Sequence, residues 1–324
     1  MKRYVHKLLT ISTLVSFLIF GCAPKVKEGY DDKLGYSGNI SISGAFALYP
    51  IVVLWGEDFK KLHPNVRFNI SAGGAGKGIA DVLTNMVDIG LVSRDLHPQE
   101  IAKGAQPIIV AKDAVLGTFN SNHPNADLIK SRGLTQEELQ GVFVENRYKT
   151  WKDIDTRFVD QPIGVYVRSD AAGAAETWAK FFKESQEDLK GVGIFGDPGL
   201  AQAIKDNTYA IGFNNLNYVY DLKSLKTTAN IDVIPIDINA NGKIDEEENF
   251  YSDINRLTEA VALKKYPSPP SRELMFVIKN DNNSRLIKAF IQFVLDKAQQ
   301  GYLLENGYVP LTEEQVLVES SKLK

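Results

Sequence analysis

The apolar positions of this chain recur with two alternating periods, one typical of strands and one typical of helices. The first predicted strand, residues 38–43, precedes apolar residues at helical spacing: Leu48, Ile51, Val52, Trp55 and Phe59. Further strands are predicted at residues 66–70, 87–92, 113–119, 163–167, 231–236 and 273–279. Further helices are predicted at residues 134–144, 175–184, 200–206 and 285–297. This alternation predicts an α/β architecture.

The order of these elements predicts two α/β domains, or lobes, with a central cleft between them. The chain without its first residues has roughly 290 residues, which exceeds one ordinary hydrophobic core. The strand predicted at 113–119 would cross between the lobes, and the strand at 273–279 would return. We therefore expect residues 38–116 plus 268–324 to form one lobe and residues 117–267 the other, with ligands held in the cleft.

The first 37 residues have the layout of an export signal and a tether. Lys2, Arg3 and Lys7 precede a mostly apolar run at 8–20, as in a secretory signal peptide. Ile-Phe-Gly-Cys resembles a bacterial lipobox, so residues 1–21 are predicted to be a lipoprotein signal peptide and Cys22 a lipid-attachment residue. Residues 22–37 are predicted to be an irregular tether. The alternatives are an uncleaved anchor or an ordinary signal with a chance cysteine.

The composition is typical of a soluble globular protein and does not favour nucleic-acid partners. Hydrophobic residues make up 44% and charged residues 24%, and the net charge is −3. Basic residues are interspersed with acidic ones, which argues against a nucleic-acid surface. Cys22 is the only cysteine, so we expect no disulfide.

Three loops rich in Gly and Ala, at residues 42–50, 73–83 and 167–178, each lead into a predicted helix. Small side chains let a ligand approach the backbone, and the unpaired N–H groups of a helix start favour an anion. The second loop is not a P-loop, because Gly78 stands where a Ser or Thr must hold magnesium. The alternative for that loop is a tight strand-to-helix turn. The predicted cradle consists of Ala45, Phe46, Ala47, Ala75, Gly76, Lys77, Ala172, Gly173 and Ala174.

Two polar side chains at strand ends complete the predicted anion site. Arg168 follows the strand at 163–167, where its guanidinium would clamp an oxyanion with two parallel hydrogen bonds. Its alternative role is a structural ion pair with a surface carboxylate. Ser93 follows the strand at 87–92 and would form one hydrogen bond with the ligand, whereas Arg94 and Asp95 are expected to pair with each other.

Residues 237–248 match a calcium-binding loop at its demanding positions. Oxygen-bearing side chains alternate along the loop, and Gly242 stands at the sharp turn. The preceding strand argues against a helix-loop-helix sensor, so we expect a structural Ca²⁺ that stiffens the loop. The alternative is a metal-free turn rich in Asn and Gly. The predicted ligands are Asp237, Asn239, Asn241, the Lys243 carbonyl, Asp245 and Glu248.

The chain offers little that favours catalysis. His63, His97 and His123 each precede a proline, as turn residues often do, and no Gly-x-Ser-x-Gly motif is present. We therefore expect a binding protein and not an enzyme, with an envelope hydrolase as the least favoured hypothesis.

The chain resembles the phosphate-binding proteins of bacterial ABC importers, which belong to the two-lobed periplasmic-binding class. The resemblance covers nearly all of residues 38–311 and includes ISGAFALYP, VDIGLVSRDL, VRSDAAGAAETW, YAIGFNNLNYV and YPSPPSRELMFVIK. It implies a solute that is captured between closing lobes and passed to a membrane permease.

The chain departs from the family where family members contact phosphate. They usually carry Ser-Thr-Thr or similar at 45–47, Ser at 75 and Ser-Gly-Thr at 172–174, and their hydroxyls donate to phosphate. Here the side chains at five of these positions are only methyl groups, and Phe46 is bulky. Each lost hydrogen bond to a charged group is worth about 1.5–3 kcal/mol. The fold is therefore better specified than the ligand.

Together these features predict a lipid-anchored, monomeric binding protein of an ABC importer, located in the bacterial cell envelope. Its ligand would be phosphate or a phosphate-like oxyanion. The alternative is the same fold with a larger or less polar organic anion, or with a sensing role outside transport.

Overall fold

The protein, described over residues 27–323 by a computed structural model, is a mixed α/β molecule. The first half contains β1 Gly29–Asp31, β2 Gly35–Gly44, α1 Tyr49–Leu62, β3 Asn65–Ala72, α2 Ala75–Leu83, β4 Ile89–Val92, α3 Pro98–Ala102, β5 Ala105–Phe119, α4 Ala126–Arg132, α5 Gln136–Phe143 and α6 Trp151–Ile154. The second half contains β6 Gly164–Arg168, α7 Gly173–Phe181, β7 Val192–Ile194, α8 Gly196–Asp206, β8 Ala210–Asn215, β9 Asp232–Val233, α9 Ile254–Ala262, β10 Ser271–Lys279, α10 Arg285–Leu295, α11 Lys297–Gly301 and α12 Glu313–Ser321.

The strands form one continuous hydrogen-bonded path, in the order β1-β2-β4-β10-β5-β8-β6-β7. β3 adds to β2, and β9 adds to β5. The 15-residue strand β5 pairs with β10 over most of its length and with β8 at its end. β5 therefore carries the chain from one half of the molecule to the other.

Two separate hydrophobic cores lie on either side of this crossing, which makes the molecule two-lobed as predicted. We call lobe 1 the part whose core takes residues from 40–111 and 274–323, including Trp55 and Phe290. We call lobe 2 the part whose core takes residues from 114–266 together with Val309, including Trp151 and Trp178. Each lobe buries its own aromatic residues, so each supplies its own packing energy.

Two segments differ from their predicted form. Gly29–Asp31 pairs antiparallel with Gly35–Ser37, and the Tyr30 and Tyr36 rings lie 5.0 Å apart, so part of the predicted tether belongs to a hairpin. The strand predicted at 231–236 is only the two-residue β9, because Asp232 and Val233 pair with β5 whereas Ile236 pairs with Leu134.

The predicted signal peptide and Cys22 lie outside the described residues. Within residues 27–323, no helix is both long enough and apolar enough to cross a membrane.

Candidate functional site

The three Gly/Ala-rich loops meet between the lobes. The Gly76 N–H at the start of α2 donates to the Ala171 carbonyl of lobe 2 at 3.0 Å. A Cβ placed on Gly173 would overlap the Ser93 hydroxyl and the Ser93 carbonyl, so the third loop also lies directly against the residue that follows β4. The structure therefore brings together the segments from which the sequence predicted a cradle.

Two helices start at this meeting point without side-chain caps. Gly74 (φ +88°) precedes α2, and Ala172 precedes α7; neither provides a capping oxygen. The first-turn amides of an α-helix have no intrahelical acceptor, so they are available to an anion. Three predicted cradle amides already have acceptors. Ala45 donates to the Leu91 carbonyl at 2.8 Å, Gly76 donates to Ala171, and Ala172 donates to Gln186 Oε1 at 3.0 Å.

The alanines of the cradle are buried against the protein itself. Their exposed fractions are at most 2%, so their methyl groups line packed walls and offer no hydrogen bond. Lys77 is exposed and forms an ion pair with Asp81, which also accepts the Ser43 hydroxyl at 2.6 Å. The buried residues of this set are Ala45, Ala47, Ala75, Ala172 and Ala174.

Arg168 lies at the end of β6 with its guanidinium already paired on two sides. Nε and Nη2 donate to the Asp170 carboxylate at 2.8 and 2.5 Å, and Nη1 donates to Asp197. The Phe46 ring covers the guanidinium at 5.3 Å from Cζ. Burial disfavours the charge of Arg168, but Asp197 and Asp170 outweigh it and raise its pKa. The predicted alternative of an ion pair is therefore present, although its carboxylates are buried and not on the lobe surface.

Asp197 is the main site residue that the sequence analysis did not find. It lies in the first turn of α8 with 1% exposure, and burial raises its pKa against the opposing effects of Arg168 and Arg272. Arg272 of β10 forms a bidentate pair with Asp113 at 2.8 and 3.1 Å and also donates to Asn215. Gly196-Asp197-Pro198 is a recognisable helix start, but the sequence carries no signal that it faces Arg168.

The expected ion pair between the Arg94 and Asp95 side chains is wrong, although Arg94 Nη1 donates to the Asp95 backbone carbonyl at 2.8 Å. Arg94 forms a bidentate ion pair with Glu100 at 2.7 and 3.0 Å, and Asp95 accepts from Lys180 at 3.0 Å. Glu100 lies at the first turn of α3, where its carboxylate also accepts the His97 N–H at 2.7 Å. This cap fixes Glu100 beside Arg94 and leaves Asp95 to bridge from lobe 1 to lobe 2.

Aromatic side chains extend the contact between the lobes. The Tyr218 hydroxyl of lobe 2 donates to the Phe46 carbonyl of lobe 1 at 3.1 Å. The Phe46 and Phe195 rings pack edge to face at 6.0 Å between centroids. Phe46 thus fills space beside Arg168 and joins the two lobes.

The predicted calcium loop is closed by its own hydrogen bonds. Asp237 accepts the N–H groups of Asn241 and Gly242 at 3.2 and 2.8 Å, and Glu248 accepts those of Ile238 and Asn239 at 2.9 and 3.1 Å. Asp237 and Glu248 are 2% and 5% exposed. Neither forms an ion pair with a Lys or Arg among residues 27–323.

The other predicted ligands of this loop contact one another. Asn239 and Asn241 donate their amide groups to Asp245 at 3.0 and 2.6 Å, and Lys243 Nζ lies 2.6 Å from the same carboxylate. In the described part of the chain, no three Asp, Glu, His or Cys side chains form a group that could hold a metal. The loop has calcium-type spacing without a preformed cluster of carboxylates.

Residues 33–298 match the model of the PBP superfamily domain. The phosphate-binding protein PstS of Bacillus subtilis is 24% identical over 322 residues, covering 96% of each chain. PstS of Borreliella burgdorferi is 22% identical, covering 95% of this chain and 99% of its own.

A solved structure shows the same fold. A putative phosphate ABC transporter substrate-binding protein from Clostridium perfringens, with bound phosphate, superposes with a TM-score of 0.69 at 23% identity. The match covers 85% of this chain and 100% of that chain. An ABC-type phosphate transport receptor from Vibrio cholerae superposes with a TM-score of 0.61 at 21% identity, covering 84% of this chain and 100% of that chain.

Proposed function

Because this chain belongs to the PBP superfamily, we propose that it is the extracytoplasmic solute-binding protein of an ABC importer and binds phosphate or a phosphate-like oxyanion. Its relatives over nearly the whole chain are named phosphate-binding proteins. The partner would be a membrane permease, and the role is binding without catalysis.

The observation that supports this proposal is the meeting of loops from both lobes beside Arg168. The first-turn amides of α2 and α7 supply partial positive charge, and Ser93 lies against Gly173 between them. A ligand held there would contact both lobes at once. Such a ligand would therefore stabilise the arrangement in which the lobes are closed on it.

Calorimetric titration of the ligand-stripped protein with inorganic phosphate tests this function. We expect saturable binding, and we expect Arg168→Lys to weaken it at least tenfold, because lysine keeps the charge but loses the two-pronged donor geometry. Arg132→Lys is the matched control, since Arg132 also pairs with two carboxylates, Glu138 and Asp155, but lies away from the loops.

An absence of heat at millimolar phosphate would remove phosphate as the ligand. Equal losses in the two variants would show that the Arg168 effect is structural and not specific to the site.

As a second candidate function, the protein would bind a larger or less polar organic anion, either for transport or for sensing. The buried methyl groups of the cradle and the Phe46 ring favour it, because they replace polar contacts by apolar ones. Native mass spectrometry of the protein as isolated discriminates the two candidates by the mass of any retained ligand.

We also propose that residues 237–248 bind a structural Ca²⁺. The support is the pair of buried carboxylates, Asp237 and Glu248, which accept backbone N–H groups and form no ion pair with Lys or Arg among the described residues. Buried carboxylates that no ion pair neutralises are costly, and a divalent cation would offset that cost. Asn239 and Asn241 would then turn their amide oxygens inward, and Asp245 would exchange their amide groups for the ion.

We propose further that Cys22 carries a lipid that holds the protein at the envelope membrane, with the protein monomeric. The lipobox-like sequence supports the anchor. The intact mass of the mature protein, extracted from a membrane fraction, would reveal or exclude a diacylglyceryl group on its first residue. Sedimentation of a chain that lacks residues 1–22, measured without detergent, would test whether the protein is a monomer.

A further inference from the structure

Asp197 belongs to a buried cluster of charged side chains in which negative charge is in excess. Three carboxylates and two guanidinium groups lie together, and each is at most 7% exposed. With all five ionised, the cluster carries one negative charge more than positive. Its members are Asp113, Asp170, Asp197, Arg168 and Arg272.

Asp197 and Asp170 occupy different parts of the Arg168 guanidinium. Asp170 takes the edge formed by Nε and Nη2, and Asp197 takes Nη1. Phe46 covers one face of the same group. An anion that enters the cleft therefore has to compete with two carboxylates for the hydrogen-bond donors of Arg168.

The two carboxylates differ in what else they do. Asp170 also accepts the Gly196 N–H at 3.1 Å, and its backbone carbonyl accepts from Gln186 at 2.6 Å, so it shapes the third loop. Among the described residues, the Asp197 carboxylate accepts one further hydrogen bond, a long one of 3.4 Å from the Asn215 N–H. Asp197 is thus the carboxylate whose charge can be removed with the smaller change in loop structure.

We propose that Asp197 determines the anion affinity of this cleft, by occupying the Arg168 donor that an anion would use and by adding like charge beside it. The inference rests on the proposed function, because it concerns the same site. It identifies a specificity determinant that lowers the affinity for multiply charged oxyanions and favours ligands of lower charge. The burial that raises the pKa of Asp197 is consistent with a carboxylate held at an electrostatic cost.

Titration of four proteins with inorganic phosphate tests the proposal: wild type, Asp197→Asn, Asp197→Ser and the control Asp127→Asn. Asparagine keeps the shape and the oxygen for the Asn215 N–H, and serine guards against a misfit of the new amide. Asp127 is fully exposed on lobe 2, so its variant changes the net charge equally without contact to Arg168. Melting curves verify that each variant is folded.

We expect both Asp197 variants to bind phosphate at least tenfold more tightly than wild type, whereas Asp127→Asn stays within about threefold. A merely structural role would not raise affinity. If wild type binds phosphate and both Asp197 variants bind it equally or more weakly, the inference is overturned and the proposed function stays intact. Binding by neither wild type nor the variants overturns both. Binding only by the Asp197 variants supports the inference and removes phosphate as the wild-type ligand.

Discussion

At the scale of single residues, the chemistry of the site depends on which side chains face each other. Arg168 was predictable as a site residue because it ends a strand next to a Gly/Ala-rich loop. Its two carboxylate partners reduce its attraction for an anion, because a guanidinium neutralised by carboxylates attracts an anion far less than a free one. Asp197 lies 29 residues from Arg168, and no periodicity connects them.

His123 is a second residue whose environment could not be read from its sequence neighbours. It is 3% exposed, its Nδ1 accepts the Asn125 N–H at 3.1 Å, and its ring lies 4.4 Å from that of Trp151. Burial lowers its pKa from 6.5 to about 4, so the folded protein keeps the ring neutral.

This burial predicts a loss of stability in mild acid. Below pH 6.5 the unfolded chain binds a proton on His123 and the folded chain does not. The contribution of the neutral His123 ring to the free energy of unfolding is therefore complete above pH 6.5 and is lost as the pH falls towards 4. We expect the free energy of unfolding to fall by about 1–2 kcal/mol more in wild type than in His123→Gln between pH 7 and 5. Urea unfolding at both pH values measures this, with exposed His97→Gln as control. Identical pH slopes in wild type and His123→Gln would contradict the prediction.

At the scale of elements, local patterns located most of the longer strands and helices, but they missed β8 and α9 and placed several element ends less well. The helix predicted at 200–206 begins earlier, at Gly196, because the Gly-Asp-Pro sequence supplies its first turn. The strand β5 begins at Ala105, earlier than predicted, because β10 pairs along its first half. Neighbouring strands lengthen or shorten one another, and one segment's pattern does not contain that information.

Calcium binding by the loop at 237–248 is testable through its effect on thermal stability. If Ca²⁺ binds there, a chelator such as EGTA should lower the melting temperature, and added calcium should restore it, because a ligand of the folded state stabilises that state. Asp237→Asn should lower the melting temperature in calcium and abolish the response to the chelator. Asp160→Asn, an exposed carboxylate elsewhere on lobe 2, serves as control. Melting curves that are the same with EGTA and with excess calcium would refute the site.

At the scale of the whole molecule, the closed cleft depends on small residues at the lobe contact. Gly173 lies so close to Ser93 that a Cβ would overlap both the backbone and the hydroxyl of Ser93. Gly74 is similarly close to Asp170 and Ala171. These approaches hold the loops of lobe 1 against those of lobe 2 through main-chain contact.

Gly173→Ala should therefore prevent full closure. We expect a larger radius of gyration by small-angle scattering and phosphate binding weakened at least tenfold, because the added methyl group separates the loops that form the cradle. Gly301→Ala is the matched control, since nothing lies within 4 Å of a Cβ at that position. Unchanged scattering and affinity in Gly173→Ala would mean that closure does not require this contact.

The sequence by itself determined the α/β alternation, the two-lobed fold and the three small-residue loops, because periodicity and the Gly/Ala runs are local properties that tertiary contacts do not alter. Only the tertiary structure decided which charges meet: Arg168 with Asp197, Arg94 with Glu100, and Asp95 with Lys180. Coulomb interactions and burial depend on distance in space. Folding within a lobe sets that distance for the first two pairs, and packing between the lobes sets it for Asp95 and Lys180. The sequence therefore predicted where an anion would bind, but it did not predict the balance of charged side chains at that place.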